Sequence, residues 1–402
     1  MDLLDAELHQ RLATLREQNL FREIHRVDTP QSPHIKIGGR TLLNFSSNDY
    51  LGLANDPILK GATVKAVEKF GAGAGASRLI CGSLAPFHEL EKALADLKRT
   101  EAALGFSSGY AAAIGTIGAL LGKEDVVVLD KLVHACLVDA ARLCGATIRV
   151  FAHNDIEDLE EILRWSSTFR SSGGTQKREP QPPHTLVVTE SIFSMDGDAA
   201  PLREIVALKD RYGAWLMVDE AHATGVCGHH GRGLAYELGV SDQIEIQMGT
   251  LGKALGASGG FICGSRALID VLVNRARSLI FSTAPVPAAA AAATAAVRFI
   301  QSARGEARRK MLRARVAQLH TSVKNQPAKI PGAIVLIRIG DEKKAVEAAT
   351  ALRGQGIFIP AIRYPTVARG AARLRVTVTA GHTSEDISQL TTALRKIVNR
   401  KS

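Results

Sequence analysis

The sequence is poor in aromatic residues and has neither closely spaced cysteines nor a long apolar run. Aromatics make up 5% of its 402 residues and do not alternate with basic residues, so a formal net charge of +10 is a weak sign of nucleic-acid binding. The five cysteines lack Cys-x-x-Cys spacing, which argues against a zinc site and a disulfide framework. No apolar run has the length of a membrane span. These absences predict a protein with no metal, nucleic-acid or membrane partner.

What remains is the composition of an ordinary globular protein, with 46% hydrophobic and 22% charged residues. The basic excess is explained by an anionic small-molecule ligand, and equally well by a surface without a partner. Acids at positions 2, 5 and 7 are atypical of a secretory or mitochondrial signal, so we expect a cytoplasmic protein. The length allows two to three domains, or one large domain with a smaller one.

Short β-branched runs alternate with helical periodicity through the middle of the chain. The runs are Val126–Leu129, Thr147–Phe151, Thr185–Thr189, Trp215–Val218, Ile244–Met248 and Gly260–Cys263. Such alternation predicts an α/β fold, with a doubly wound and largely parallel sheet covered by helices on both faces. Ligands of these folds bind outside the carboxyl ends of the strands.

The same patterns divide the chain into regions. We predict an N-terminal arm and hairpin at 1–56, an α/β domain at 57–285 and a smaller C-terminal α+β domain at 286–402. Gly38-Gly39 marks the hairpin, and Pro285-Val286-Pro287 precedes an alanine-rich helical segment, Ala288 to Ala303. A polar stretch rich in Gly and Pro at 171–183 predicts a surface loop.

A lysine between glycines and an aspartate after an apolar run form the strongest chemical signal. Lys253 lies in the segment Gly249–Gly256, where a crowded pocket would desolvate its amine, and a neutral amine condenses with aldehydes. Asp219 follows Ala214–Val218, where its carboxylate can keep a pyridine nitrogen protonated and make the ring an electron sink. Singly, both residues are commonplace. In this order, they predict a pyridoxal phosphate (PLP) site with Lys253 and Asp219 as catalytic residues.

A phosphate could bind where a helical segment begins. Ser108, Gly109 and Tyr110 open that segment, and backbone N–H groups at a helix N-terminus attract anions. Serine is also a common helix cap, so this motif alone leaves both interpretations open. Thr250, three residues before Lys253, adds a hydroxyl to the predicted phosphate site.

Two histidines complete the predicted cofactor pocket, and both are predicted to be catalytic residues as well. His134 follows the run at Val126 and can stack on an aromatic ring, although a single histidine is more often structural. His222 stands three residues after Asp219, within reach of the cofactor's phenolic oxygen.

Two nucleotide-binding motifs are excluded. The Gly252-Lys253 pair has Gln247 in place of the required first glycine and Ala254 after the lysine, so it is not a P-loop. The glycines of Gly71–Ala76 follow a helical segment, Ile58 to Phe70, and not the strand that a dinucleotide fingerprint needs. They predict a flexible loop instead.

From about residue 40 onward, the chain resembles the α-oxoamine synthases. These are PLP enzymes of the aspartate aminotransferase fold (fold type I) that join an amino acid to an acyl-CoA with loss of carbon dioxide. The segments that carry the resemblance are Asn44–Leu53, Gly73–Arg78, Phe193–Asp198, Val218–His222 and the turn around Lys253.

The resemblance implies roles for individual residues. Lys253 would form the Schiff base with the cofactor, Asp219 would face the pyridinium and His134 would stack on the ring. Ser194 and His222 would neighbour the phenolic oxygen. The substrate-binding residues implied are Asn48 and Arg375 for the amino acid carboxylate, Arg363, and Arg22 for the far carboxylate of the acyl chain, with Arg26 as a second candidate for that last role.

Within the family, three segments favour the member that condenses L-alanine with pimeloyl-CoA, or with pimeloyl-ACP, in biotin biosynthesis. They are Ser47–Tyr50, Ala361–Arg363 and Arg373–Thr377. Condensation of glycine with acetyl-CoA is the nearest alternative, and a catalytically silent scaffold is an alternative of another class. The resemblance also implies a homodimer with active sites at the interface, where Ser282-Thr283 would reach the other chain's phosphate.

Overall fold

The computed structural model describes residues 3–171, 183–323 and 332–398. The chain divides into two compact units. The large unit comprises residues 53–194 and 198–309, and the small unit comprises residues up to 52, residues 195–197 and residues from 310 onward. Residues 172–182 of the predicted surface loop lie outside the described residues. The domain limits at 56 and 285 stay predictions.

The α-helices of the described residues are α1 (Leu3–Glu17), α2 (Pro57–Phe70), α3 (Ala85–Lys98), α4 (Gly109–Leu120), α5 (Ala135–Cys144), α6 (Ile156–Ser171), α7 (Leu202–Tyr212), α8 (Leu234–Glu237), α9 (Arg266–Arg275), α10 (Arg277–Ile280), α11 (Pro287–Ile300), α12 (Ala303–Ser322), α13 (Glu342–Gly354) and α14 (Ser384–Val398). The strands are β1 (His34–Ile37), β2 (Arg40–Asn44), β3 (Ala102–Phe106), β4 (Val126–Asp130), β5 (Thr147–Phe151), β6 (Thr185–Glu190), β7 (Trp215–Asp219), β8 (Ile246–Thr250), β9 (Gly260–Gly264), β10 (Ile334–Gly340), β11 (Ile357–Phe358), β12 (Ala361–Ile362) and β13 (Ala372–Thr377).

The large unit is built on a sheet with the strand order β3-β9-β8-β7-β6-β4-β5. Strands β8, β7, β6, β4 and β5 are parallel, and β9 is antiparallel to both of its neighbours. β4 and β6 are buried along their whole length, as expected for parallel strands with helices on both faces. The predicted α/β class with a mainly parallel sheet is confirmed.

Several strands of this sheet end in polar residues at one edge. β4 ends at Asp130, β6 at Glu190, β7 at Asp219 and β8 at Thr250. Because these strands are parallel, their carboxyl ends lie on the same side, and the register sets Glu190 directly beside Asp219. This edge is where an α/β fold places its ligands.

The small unit carries two three-stranded sheets, β1-β2-β11 and β10-β13-β12. The predicted hairpin is present, with β1 and β2 joined by Gly38 and Gly39 at φ of 56° and 77°. Two successive positive φ angles are the geometry of a tight hairpin turn and explain the glycine pair. β13 is buried throughout and carries Arg373 and Arg375.

Helix α1 has no buried residue. In the described parts of the chain, no helix combines the length and the apolar character needed to cross a membrane.

Candidate active site

Lys253 lies in a tight turn between β8 and β9. The turn is closed by backbone hydrogen bonds from Gly256 N–H to Lys253 O (2.9 Å) and from Ala257 N–H to Leu251 O (2.8 Å). Gly256 has a φ of 61°, and a Cβ there would lie 2.4 Å from the backbone nitrogen of Ala54, so only glycine fits. The lysine side chain is half-buried at the carboxyl edge of the sheet.

Asp219 is 5% exposed, and its Oδ1 accepts a hydrogen bond from Ala221 N–H at 2.8 Å. Burial raises the pKa of Asp219, whereas the charge of Lys253 opposes the shift. The two side chains are therefore close enough to interact electrostatically. A protonated ring nitrogen beside Asp219 would offset the remaining cost of burying its charge.

Glu190 is a buried acid beside Asp219 that the sequence patterns missed. Its Oε2 accepts a hydrogen bond from Ser194 N–H at 3.1 Å, and its Oε1 has no partner among the described residues. Burial and the neighbouring Asp219 raise the pKa of Glu190 well above its usual range. The pair therefore favours a neutral Glu190, which leaves the negative charge of the site to Asp219.

His134 caps helix α5, its Nδ1 accepting a hydrogen bond from Cys136 N–H at 3.2 Å. Burial lowers the pKa of His134; Asp219 opposes this shift and Lys253 adds to it. The ring is therefore a neutral imidazole with its proton on Nε2 at pH 7. Such a ring can stack on an aromatic cofactor and still donate one hydrogen bond.

The N-terminus of α4 lies beside the carboxyl end of β8. Ser108 caps the helix, its Oγ accepting from Ala111 N–H at 3.0 Å, and a Cβ on Gly109 would lie 2.6 Å from Thr250 Cγ2. Thr250 Oγ1 is buried and has no hydrogen-bond partner in the described residues. An unpaired hydroxyl beside the N–H groups of a helix N-terminus fits a phosphate.

The other predicted cofactor residues differ in their surroundings. Ser194 and His222 are buried in the large unit, at 5% and 4% exposure. Tyr110 is exposed, and its hydroxyl donates to Asp139 Oδ2 at 2.9 Å. The hydroxyl of Tyr110 therefore already has a protein partner, unlike that of Thr250.

In the small unit, Arg375 donates to neutral oxygens. Its Nη1 lies 3.1 Å from both Asn48 Oδ1 and Thr377 Oγ1, and its Nη2 lies 3.4 Å from the Tyr50 hydroxyl. Arg375 is 9% exposed, and its position is set by the buried strand β13. An arginine held in this way can bind a carboxylate through two parallel hydrogen bonds.

The small unit also brings Arg22 and Arg363 together. Arg22 Nη2 donates to Tyr364 O at 3.1 Å, and Arg363 donates to Phe21 O. Arg363 Nε is buried without a partner among the described residues, and burial together with the charge of Arg22 lowers the pKa of Arg363. Two adjacent guanidinium groups with an unpaired N–H are suited to an anion. Arg26, by contrast, pairs with Asp28 at 2.6 Å.

The chain matches known proteins over almost its whole length. The family model for aminotransferase class I and II matches residues 40–394. A putative 8-amino-7-oxononanoate synthase of Desulfovibrio desulfuricans is 44% identical, over 97% of this chain and 98% of its own. The 8-amino-7-oxononanoate synthase of Geobacter sulfurreducens is 43% identical, over 96% of each chain.

Solved structures agree with these matches. Serine palmitoyltransferase from S. paucimobilis, which holds a PLP–myriocin aldimine, superimposes with a TM-score of 0.88 at 31% identity, over 99% of this chain and 100% of that one. The chain belongs to the aminotransferase class I and II family, in its α-oxoamine synthase branch. The 8-amino-7-oxononanoate synthase of Francisella tularensis superimposes with a TM-score of 0.73 at 25% identity, over 90% and 98% of the chains.

This α-oxoamine synthase therefore uses PLP, and the predicted family, fold type and cofactor are confirmed. Its large unit brings Lys253, Asp219 and His134 into mutual electrostatic contact. The unpaired hydroxyl of Thr250 at the N-terminus of α4 fits the cofactor's phosphate. The roles of the individual residues stay predictions.

Proposed function

We propose that the protein condenses L-alanine with a pimeloyl thioester, with loss of carbon dioxide, to form 8-amino-7-oxononanoate for biotin biosynthesis. The observation that carries the proposal is identity of 42–46% with proteins of that name, or putatively of that name, over 94–99% of this chain. The paired guanidinium groups of Arg22 and Arg363 support it, because a pimeloyl chain ends in a carboxylate.

Bound PLP supplies an electron sink for negative charge at the substrate's α-carbon. In our proposal, Lys253 would hold the cofactor at its aldehyde and would take the proton from the substrate's α-carbon. Asp219 holds the proton on the ring nitrogen, and Ser194 and His222 bind the phenolic oxygen. Thr250 and the N-terminus of α4, with Ser108 and Gly109, bind the phosphate.

Arg375 and Asn48 bind the α-carboxylate of L-alanine. A bidentate arginine fixes which bond of the α-carbon is aligned for cleavage. His134 donates from Nε2 to the thioester oxygen as the new carbon–carbon bond forms and the carbon–sulfur bond breaks. The thiolate departs and takes a proton from solvent, the carboxylate leaves as carbon dioxide, and the proton held by Lys253 returns to the α-carbon.

The distal carboxylate of the acyl chain would be bound by Arg22 and Arg363. Two single variants, each with one arginine replaced by glutamine, test this assignment. Arg22→Gln should raise the KM for pimeloyl-CoA about tenfold, the effect of losing about 1.4 kcal/mol of binding. Arg26→Gln is the matched control, since Arg26 is paired with Asp28 and should leave KM unchanged. Equal effects of the two changes would contradict the assignment.

We also propose a homodimer. Leu79, Ile80 and Phe281 are 49%, 79% and 71% exposed, and the short π-helical turn that carries Leu79 and Ile80 contacts α10 just before Phe281. An exposed apolar group of this kind favours a protein interface, here with a second copy. Sedimentation equilibrium of active enzyme should give twice the chain mass, and a fully active monomer would refute the proposal.

We also propose that the protein is located in the cytoplasm. All five cysteines are free, and Cys81 is exposed, which favours a reducing compartment. Cell fractionation is the test, and recovery of the enzyme outside the cytoplasmic fraction would contradict it.

The reaction is tested by measuring thiol release from purified enzyme loaded with PLP. L-alanine, glycine and L-serine are each combined with pimeloyl-CoA, acetyl-CoA, succinyl-CoA or palmitoyl-CoA, and pimeloyl-ACP is included as a second donor. Release confined to L-alanine with a pimeloyl thioester, and abolished in Lys253→Ala, is expected. Release with glycine and acetyl-CoA would instead favour a glycine acetyltransferase. Cofactor binding with no release from any donor would favour a silent scaffold.

A further inference from the structure

A histidine outside the predicted site lies between two carboxylates at the carboxyl edge of the large sheet. His153 Nδ1 is 3.0 Å from Asp130 Oδ1, and His153 Nε2 is 2.8 Å from Asp198 Oδ2. The Asp130 side chain is fully buried, and His153 is 23% exposed. The neighbouring Asn154 adds an N–H bond to Asp130 Oδ2 at 2.9 Å and an amide bond to Asp198 Oδ2 at 3.2 Å.

The two carboxylates belong to the segments that carry two of the predicted cofactor residues. Asp130 ends β4, four residues before His134, and its Oδ1 also accepts from Leu132 N–H at 2.7 Å. Asp198 follows Ser194 by four residues, and its backbone oxygen accepts from Phe193 N–H at 3.0 Å. The Phe193 ring packs edge-on against the His153 ring at 4.3 Å. One imidazole therefore links the two segments.

The geometry requires both ring nitrogens to donate, because an ionised carboxylate only accepts. Burial lowers the pKa of His153, but hydrogen bonds and charge from Asp130 and Asp198 outweigh it and raise the pKa to about 10. The ring is thus an imidazolium at pH 7 with a charge-assisted hydrogen bond at each end. Such bonds are about twice as strong as neutral ones.

We propose that His153 is a positioning residue, which holds Asp130 and Asp198 in place and thereby fixes the orientation in which His134 and Ser194 meet the cofactor. The proposal rests on the PLP site described above, and on neither the amino acid nor the acyl donor. His153 does not act on the substrate itself.

The test is PLP binding by the apo-enzyme, followed by the visible circular dichroism of the bound cofactor. His153→Gln can donate to only one carboxylate, so we expect PLP affinity to fall about tenfold, by analogy with the smallest losses seen when a residue that orients a metal ligand is removed. The dichroic band should also change at saturating PLP, because it reports how the ring is held. His88→Gln is the matched control, since His88 is an exposed histidine of the large unit that contacts Ser83.

Wild-type PLP affinity and an unchanged band in His153→Gln would overturn the proposal, even if the variant melts at a lower temperature. If that variant does not fold, Asp198→Asn decides, because it removes one carboxylate charge and keeps an acceptor for Asn154. An unchanged band and affinity in Asp198→Asn would equally overturn it. Neither readout uses a substrate, so failure here is distinct from failure of the proposed condensation, which appears only in thiol release.

Discussion

Removing one partner of the ion pair between Lys98 and Glu220 should destabilise the large unit far more than removing one partner of an exposed ion pair on the same helix. Lys98 Nζ lies 2.6 Å from Glu220 Oε2, and each side chain is 1% exposed. Lys98 also donates to Arg232 O at 2.6 Å, and Glu220 Oε1 accepts from Ala235 N–H at 2.9 Å. The pair thus joins the end of α3 to the residue after Asp219.

Lys98→Met would leave a buried carboxylate with one N–H partner, at a cost of about 3–5 kcal/mol. Glu220→Met would strand a buried ammonium at a similar cost. The double variant removes both charges and leaves only Ala235 N–H and Arg232 O unpaired, each at about 1–3 kcal/mol, partly offset by apolar burial. We therefore expect the double variant to lose no more stability than either single variant.

Urea unfolding followed by tryptophan fluorescence measures this directly. Trp165 and Trp215 are the two tryptophans of the chain and both lie in the large unit, so the signal reports that unit. Lys92→Met is the matched control on α3, because its partner Asp96 and Lys92 itself are 64% and 79% exposed, and its midpoint should barely move. Additive losses in the double variant would refute the ion-pair reasoning.

Other changes test the cofactor site and its surroundings. Asp219→Asn should lower thiol release on the order of a hundredfold or more, whereas Glu190→Gln should keep most of it because burial already favours a neutral side chain; equal losses would contradict the division of charge. Gly109→Ala, whose methyl would lie 2.6 Å from a threonine carbon, should weaken PLP binding measured by absorbance titration, while Gly118→Ala on the same helix meets no atom within 4 Å and should not. Thermal melts should show the largest difference in stability between wild type and His153→Gln below pH 6.5, the pKa of histidine in the unfolded chain. The difference should disappear as the pH rises through about 10, the pKa of His153 in the folded protein.

The sequence predicted the parts of this fold that depend on local residue patterns. The β-branched runs at β4 to β7 became strands with nearly the predicted bounds, and the glycine pair became a hairpin turn. β8 begins two residues later than its run, at Ile246 and not Ile244, because Ser241–Gln243 forms a helical turn just before it. β3 was missed because Ala102–Phe106 has no β-branched residue, and its strand conformation depends on antiparallel pairing with β9.

The same distinction explains the site. Lys253 and Asp219 have local signals, a glycine-rich turn and the end of an apolar run, so the sequence could identify them. Glu190 has no local signal, since many apolar runs end in an acid. Its pKa is raised by its burial beside Asp219, which the sequence does not show. His153 likewise has its charge set by two carboxylates that are 23 and 45 residues away in sequence.

Charge placement at this edge is thus decided by strand register. Parallel pairing of β6 and β7 puts two acids side by side, and two buried carboxylates at that spacing cannot both ionise cheaply. The nearby Lys253 opposes the rise in pKa that burial causes in both acids, but the charge of Asp219 raises the pKa of Glu190 further. A one-residue slip of β7 would separate the acids, and Asp219 would then lose the neutral neighbour that lets it carry the only negative charge of the pair.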